Sequence, residues 1–168
     1  LLAGLFLLGS MLAFAAGEQR VPIEKVELNQ QTSMVYVQGE QTPFTGIVEK
    51  KYASGKLEAA LEFKDGKLNG KTFVYSEDGK VKKEENYING LMEGVERGYY
   101  PSGKLQSEAT FKDNVQDGLQ KDYFEDGKVK LEIPYKNGKV EGTAKEFYPK
   151  GHEYPPLLPY KYPWVHGL

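Results

Sequence analysis

Residues Gly94 to Asp117 have the sequence GVERGYYPSGKLQSEATFKDNVQD, and this unit of 24 residues recurs along the chain. The first glycine of the unit recurs at the same interval, at Gly46, Gly70, Gly94, Gly118 and Gly142. A second glycine follows the same interval, at Gly55, Gly79, Gly103, Gly127 and Gly151. A period of this length is typical of stacked repeat arrays, in which each unit packs on its neighbours rather than around one central core.

Full units begin at residues 46, 70, 94 and 118, and a half unit begins at 142. Each full unit carries a lysine directly after its second glycine, namely Lys56, Lys80, Lys104 and Lys128. Each also carries an aromatic residue seventeen positions after its first glycine, namely Phe63, Tyr87, Phe111 and Tyr135. The repetition therefore extends to side chains as well as to glycine.

Two turn signals divide each unit into two short runs. One turn contains Ser-Gly or Asp-Gly, and the other contains Asp-Gly, Asn-Gly or, in the third unit, Asp113-Asn114. Tight hairpin turns need residues that tolerate positive φ, as glycine and asparagine do. Between the turns apolar residues such as Ile133 alternate with charged residues such as Glu132, which is the period of a strand. Helices that glycine or asparagine interrupted this often would be only marginally stable.

We therefore predict an all-β fold, an elongated single-layer antiparallel meander of 24-residue β-hairpin repeats over residues 34–151. Two strands per repeat would give roughly nine or ten strands, and a strand spacing of about 4.8 Å would give an array on the order of 40 Å long. A sheet of this length should twist.

With these residues in place, the chain resembles a known family. Its pattern is a glycine, an aromatic five residues later, Gly-Lys followed by Leu or Val, a second aromatic, and an Asp-Gly or Asn-Gly turn, and it covers Tyr36 to Gly151. This is similar to the MORN-repeat variant of many bacterial proteins, and the segment TPFTG at 42–46 is similar to the usual start of such arrays. The resemblance implies hairpin repeats that act as an interaction scaffold. Relatives include antitoxins of the YwqK type and exported proteins linked to host-cell contact.

The first fifteen residues, LLAGLFLLGSMLAFA, contain no charge and are almost wholly apolar. A helix that spans a bilayer takes about 20 residues, so this segment is short for one. Its end, Ala13-Phe14-Ala15, fits the small-x-small rule for a cleavage site, and a polar stretch follows. We predict a signal peptide over residues 1–15 and a bacterial protein exported to the periplasm, the cell surface or the medium. The alternative is a buried helix or an uncleaved anchor.

Both flanks of the array differ from the repeats. Residues 16–33 are polar and are expected to form a linker or a short lead-in. Residues 152–168 form a tail rich in proline and aromatic residues, which includes the only tryptophan. Proline at this density prevents regular strands and favours extended backbone. The tail is expected to cap the open edge of the last hairpin or to be disordered; the alternatives are a ligand for a partner, or a segment foreign to the array.

The sequence offers no catalytic, cofactor-binding or metal-ligating set. It contains no cysteine, and both histidines, His152 and His166, lie outside the repeats. Gly-Lys recurs as a turn without the spacing of a phosphate loop. Aspartates in neighbouring turns should lie about 9 to 10 Å apart, too far to share a calcium ion. The 22 basic and 24 acidic side chains are interleaved and leave a net charge of −2, which argues against nucleic acid as a partner.

Two columns of aromatic residues follow the first glycine of the units, at five and six positions after it. Adjacent residues on a strand point to opposite faces of the sheet. One column is expected to share the apolar face with Phe63 and its equivalents, and consists of Tyr75, Tyr99, Tyr123 and Phe147. The other is expected on the opposite face, interrupted at Ser76, and consists of Tyr52, Tyr100, Phe124 and Tyr148.

The second column has two compatible interpretations. It stabilises a thin sheet through aromatic pairs across strands, or it forms an exposed ladder that receives a protein or glycan partner. We take Tyr52, Tyr100, Phe124 and Tyr148 as the candidate partner-binding face.

Three functions are compared on this basis. The first is an exported, non-enzymatic scaffold for protein–protein contacts, at the cell surface or with a host. The second is an antitoxin or immunity protein that neutralises a cognate toxin by binding it. The third, an enzyme, lacks a recognisable site, and no small-molecule substrate is indicated. The sequence therefore favours a binding protein without cofactors and leaves the partner and the oligomeric state open.

Overall fold

The computed structural model describes residues 18–148. The predicted signal peptide over residues 1–15 and the predicted tail over residues 152–168 lie outside the described residues. Within them, the elements are β1 (Arg20–Pro22), a 3-10 turn (Ile23–Lys25), β2 (Val26–Asn29), β3 (Met34–Val37), β4 (Gly46–Lys51), β5 (Leu57–Lys64), β6 (Lys67–Tyr75), β7 (Val81–Ile88), β8 (Leu91–Met92), β9 (Gly94–Tyr99), β10 (Leu105–Lys112), β11 (Val115–Gln116), β12 (Gly118–Tyr123), β13 (Val129–Lys136), β14 (Lys139–Val140) and β15 (Lys145–Glu146).

The predicted antiparallel meander is confirmed. Thirteen strands form one sheet, whose main path runs β1-β4-β5-β6-β7-β9-β10-β12-β13-β14, and every neighbouring pair after β4 is antiparallel. The strand number exceeds the expected nine or ten. In the later repeats the backbone breaks just before the first glycine of the unit, so that the short strands β8 and β11 separate from β9 and β12.

The polar segment before the array is an ordered lead-in rather than a linker. β1 adds to the edge of the sheet as a parallel neighbour of β4, and β2 pairs with β3 as a separate hairpin. Val21 of β1 packs with Phe44 and Val48 in the one apolar cluster defined within residues 18–148, and Val35 of β3 packs against it. The burial of these apolar side chains holds β1 against β4. Without β1, the edge of β4 would be open to pairing with another chain.

The first glycine of each unit lies opposite the recurrent aromatic of the next strand, as in the pairs Gly94 with Phe111 and Gly118 with Tyr135. Gly118 has a φ of 135°, and a Cβ added there would lie 3.0 Å from the Cβ of Thr110. Only glycine satisfies both constraints without a shift of the neighbouring strand. The aromatic ring can then lie over the glycine backbone, which explains why both positions repeat together.

A bulge recurs near the other end of each hairpin. In the first repeat Lys50 lies opposite Ala59 and Lys51 opposite Leu57, so that Glu58 is the extra residue. The same shift occurs in the other three repeats and makes extra residues of Lys82, Gln106 and Lys130. A bulge increases the local right-handed twist. Because the bulge recurs in every repeat, the added twist is distributed regularly along the sheet, which agrees with the twist expected for a sheet of this length.

The two faces of the sheet have different side chains. We call the side that carries Phe63, Tyr87, Phe111 and Tyr135 the ring face, and the opposite side the ladder face. Across the ladder face, residues in direct register run Glu84, Arg97, Glu108, Lys121, Glu132 and Lys145. Their charges alternate in sign, and ion pairs join Arg97 to Glu108 at 3.0 Å and Lys121 to Glu132 at 3.7 Å. Exposed pairs contribute roughly 0 to 1 kcal/mol each, so their main effect is to favour one register over its neighbours.

Both edges of the sheet carry hydrogen bonds from each repeat to the next. On the edge formed by the Asp-Gly and Asn-Gly turns, the amide of Gly90 donates to the carbonyl of Leu68 at 2.7 Å, and the amide of Gly138 donates to that of Gln116 at 2.8 Å. Asn114 makes the equivalent bond at 3.1 Å although it is not glycine. Every turn on this edge makes the same amide-to-carbonyl bond to the preceding repeat. Each repeat therefore offers its neighbours the same contacts, and one repeat can replace another in the stack.

Deletion of one complete unit, Gly94 to Asp117, should leave a folded and shorter array. The second unit would then meet the fourth with matched strands and matched turns, because stacked repeats contact mainly their neighbours. Circular dichroism and thermal melting measure the outcome. Deletion of half that unit, Gly94 to Leu105, is the control and should abolish cooperative melting. If both deletions melt alike, the repeats are not interchangeable.

Candidate interaction surfaces

Four turns line the edge where the predicted aromatic column begins. We call this the lysine edge, and its turns span 52–56, 76–80, 100–104 and 124–128. The lysine that ends each of the first three turns donates from Nζ to a carbonyl of the next turn: Lys56 to Glu77 at 2.7 Å, Lys80 to Pro101 at 2.6 Å and Lys104 to Glu125 at 2.7 Å. These bonds explain the lysine that follows the second glycine of the first three units; Lys128 of the fourth instead pairs with Asp126 of its own turn at 2.7 Å. They also saturate main-chain acceptors that would otherwise face solvent.

Two members of the candidate partner-binding column fasten one repeat to the next. The hydroxyl of Tyr52 donates to the carbonyl of Tyr75 at 2.6 Å, and that of Tyr100 donates to the carbonyl of Tyr123, also at 2.6 Å. Both rings are half-buried. The structural interpretation of the column therefore has direct geometric support at Tyr52 and Tyr100.

The other two members differ from this arrangement. Phe124 is half-buried, has no hydroxyl, and lies with its ring centroid 6.0 Å from Nζ of Lys130. Tyr148 is exposed, and its hydroxyl donates to Glu146 at 2.9 Å. Ser76 interrupts the column as expected, so the structure does not bring the four candidates together into one continuous patch. Their role in partner binding stays a prediction.

The lysine edge alternates between two kinds of joint. At the first and third turns, a serine hydroxyl also donates to a glutamate of the next turn, Ser54 to Glu77 at 2.9 Å and Ser102 to Glu125 at 3.0 Å. At the second turn, Ser76 instead donates within its own turn, to the carbonyl of Lys80 at 3.0 Å. The serine and tyrosine bonds therefore join the first repeat to the second and the third to the fourth, whereas the second and third are joined on this edge by the Lys80 bond.

The expectation that Tyr75, Tyr99, Tyr123 and Phe147 share a face with Phe63 and its equivalents is wrong. Gly94 lies opposite Phe111, and Tyr99 is an odd number of residues along the strand from Gly94, so Tyr99 points to the other side. Its hydroxyl donates to Glu84 at 3.2 Å on the ladder face. Tyr123 donates likewise to Glu108 at 2.8 Å. By the same count Tyr100 falls on the side of Phe111, where the sequence predicted the opposite side, because the cross-strand register that decides this is not visible in the sequence.

These contacts change the acidity of the tyrosines. Partial burial together with the hydrogen bond and charge of Glu108 raises the pKa of Tyr123 to about 12. Burial first, and then the Glu84 carboxylate, also raises the pKa of Tyr99. A negative neighbour disfavours the phenolate, and the neutral hydroxyl is the form that can donate.

Four exposed apolar side chains form a patch that the sequence analysis missed. This apolar patch consists of Ile88, Leu91, Val115 and Leu119, each 40–51 % exposed. Ile88 lies opposite Leu91, and Val115 lies opposite Lys112 in the next hairpin. Ile88 is an even number of residues from Glu84 on β7, and Leu119 is two residues from Lys121 on β12, so the patch lies on the ladder face.

Lysines occupy the edge on both sides of the apolar patch, and Lys112 lies directly opposite Val115 within it. In the first and fourth repeats the positions equivalent to Ile88 and Leu91 are occupied by exposed lysines, and with Lys112 they make the set Lys64, Lys67, Lys112, Lys136 and Lys139. A comparison of repeats position by position would have found this departure, because apolar residues replace lysine only in the middle of the array. A consensus taken over all repeats conceals it.

No metal site accompanies these surfaces in residues 18–148, where no three side chains of the ligating types converge. The same part of the chain contains no helix of the length and hydrophobicity that crossing a bilayer requires. The surfaces described above consist of apolar side chains, aromatic rings and charges of both signs.

Replacement of Tyr100 by phenylalanine should lower the free energy of unfolding by about 1 kcal/mol, because one part-buried hydrogen bond to the next repeat is lost. Chemical denaturation measures the change. The control is Tyr148→Phe, because Tyr148 is exposed and its hydroxyl donates to Glu146 two residues away, so a smaller loss is expected. Equal losses in both variants would show that the bond to Tyr123 does not join the repeats.

Tyrosine absorbance during alkaline titration should show that Tyr123 ionises above the ordinary range. Its pKa is near 10 when unfolded and about 12 when folded, so its contribution to stability is complete below pH 10 and is lost as the pH rises through 12. Glu108→Gln should lower the pKa of Tyr123 towards 10. An unchanged titration in that variant would contradict the assigned contact.

Comparison with known proteins identifies the family of this chain. A family model described as the MORN repeat variant matches four times in tandem, at residues 44–65, 68–89, 92–113 and 116–137. These matches cover just over half of the chain, and each begins two residues before the first glycine of a structural unit. No curated protein matches the chain. Repeats of this kind are interaction scaffolds, and the chain belongs to the MORN repeat variant family.

Proposed function

We propose that this protein is an exported, non-enzymatic scaffold that binds a protein partner through the apolar patch on its ladder face. The observation that carries the proposal is the exposure of Ile88, Leu91, Val115 and Leu119, each 40–51 % exposed within a sheet whose neighbouring edge positions are lysines. An apolar centre with a charged rim is the arrangement of protein–protein interfaces.

The exposed apolar side chains and the charged row beside them favour a protein as the partner. Exposed apolar side chains that cluster, rather than lie singly, mark interaction sites. The charged row from Glu84 to Lys145 runs beside the patch with alternating sign. A partner with a matching row of charges would gain specificity and register, while the apolar centre would supply most of the affinity.

Export is the part of the proposal that rests on the sequence alone. The charge-free segment of residues 1–15 and its Ala13-Phe14-Ala15 end support cleavage and transport across the membrane. An exported scaffold would meet envelope, surface or host proteins. A cognate toxin is the alternative partner, and the protein would then act as an antitoxin.

Partner capture with patch variants tests the binding surface. The full chain, used as bait on envelope and cytosolic fractions of the native bacterium, should retain a defined protein, and Ile88→Glu with Leu119→Glu should reduce its capture at least tenfold without lowering the melting temperature. The matched control is Leu28→Glu, since Leu28 is an exposed apolar residue on the lead-in hairpin, away from the patch.

Equal capture by the patch variant and by the wild-type chain would place the contact elsewhere. Retention of a toxin that inhibits growth when expressed alone would favour the antitoxin alternative. Intact mass of the protein in each cell fraction tests export separately: a species beginning at Ala16 outside the cytoplasm is expected, and an uncut cytoplasmic protein would contradict it.

A further inference from the structure

A polar cleft lies on the ring face, between the third and fourth turns of the lysine edge. It has a volume of about 250 Å³ and is lined by Tyr100, Gln106, Ser107, Asp122, Tyr123 and Lys130. Ser107 lies opposite both Gly98 and Asp122 in the sheet register. The Ser107 hydroxyl lies against Gly98, where an added Cβ would be only 2.6 Å from its Oγ, so glycine at 98 makes room for the serine side chain.

The cleft differs in polarity from the equivalent positions of the first pair of repeats. In the first pair of repeats the same two facing positions are occupied by Ala59 and Val74, directly opposite each other. In the second pair they are occupied by Ser107 and Asp122. The tyrosine at the rim is retained, since Tyr52 and Tyr100 make the same bond to the next repeat. The polar residues are therefore not needed to join two repeats.

Asp122 has most of its hydrogen-bonding capacity open. Its Oδ1 accepts one bond, from Nε2 of Gln120 at 3.3 Å. Among the ion pairs of residues 18–148, none includes Asp122. An ionised carboxylate has about four acceptor sites, so several remain for a ligand. The cleft also includes Lys130, whose charge offsets that of Asp122, so the site favours neither a net anion nor a net cation.

The aromatic ring of Tyr100 lies at the rim of the cleft and supplies its apolar surface. The hydroxyl of Tyr100 is held by the carbonyl of Tyr123 at 2.6 Å, which fixes the orientation of the ring before any ligand binds. A ring held in place presents apolar contact area at a low entropic cost. Asp122, Ser107, Gln106 and Lys130 line the cleft beside it.

We propose that this cleft binds one neutral pyranose unit of a glycan. A pyranose has an apolar face of C–H groups and a rim of hydroxyls, which match the Tyr100 ring and the polar groups of Asp122 and Ser107. The volume of about 250 Å³ accommodates one such ring. The site goes beyond the proposed protein contact, since it lies on the opposite face of the sheet from the apolar patch.

A ligand of this size should bind weakly. A single sugar ring has about twelve heavy atoms, and typical ligand efficiencies then give a dissociation constant on the order of millimolar. Backbone amide NMR of the full chain detects such binding. The probes are methyl glucoside, methyl galactoside, N-acetylglucosamine and the disaccharides cellobiose, maltose and chitobiose.

Saturable shifts that centre on the amides of Ser107 and Asp122 are expected with at least one probe. Asp122→Asn should weaken that binding roughly tenfold, as expected for the loss of hydrogen bonds to a charged acceptor. The double variant Ser107→Ala with Asp122→Val restores the residues of the first pair of repeats, so it should fold normally and lose the shifts. Asp113→Asn, an exposed turn aspartate, is the control.

The proposal is overturned if none of the six probes gives saturable shifts, or if the double variant binds as the wild-type chain does. Shifts confined to the apolar patch would also overturn it. Loss of protein capture in the patch variants is a separate result, because those substitutions leave the cleft unchanged.

Discussion

The structure depends on the register between consecutive repeats, and hydrogen bonds at both edges of the sheet fix that register. On the lysine edge, Lys56, Lys80 and Lys104 each reach a carbonyl of the following turn. On the opposite edge, the amides of Gly66, Gly90, Asn114 and Gly138 each reach back to a carbonyl one repeat earlier. A single-layer sheet has little buried apolar area per residue, so directional bonds must supply much of its specificity. The glycines recur because these turns and the close strand contact at Gly118 demand positive φ.

A fixed register leaves other positions open to change. The ladder face shows this, since apolar residues replace lysine at Ile88 and Leu91 without altering the hairpin. The ring face shows it as well, where Ser107 and Asp122 occupy positions that are Ala59 and Val74 in the first pair of repeats. The functional proposals rest on these departures because no joint between repeats requires them.

The repeat fold was predictable from the sequence, and the site was not. Two glycine series and recurrent turn residues specify hairpins by local chemistry, which a sequence displays directly. The relation between the Tyr99 column and the Phe111 column depends on which residues lie opposite each other, and bulges at positions such as Gln106 alter that count. The bond from Tyr100 to the carbonyl of Tyr123 joins residues 23 positions apart, so no local pattern indicates it. The lead-in was underestimated for the same reason, since Val21 is buried only through its contacts with Phe44 and Val48.

Residue-resolved amide hydrogen exchange tests the central claim most directly. Turn tips usually exchange quickly because their amides face water. If bonds between repeats fix the register, the amides of Gly90, Asn114 and Gly138 will exchange as slowly as those within the adjoining strands. If these three amides exchange at the rate of an unprotected loop while the strands stay protected, the turns do not lock the repeats together, and the account is contradicted.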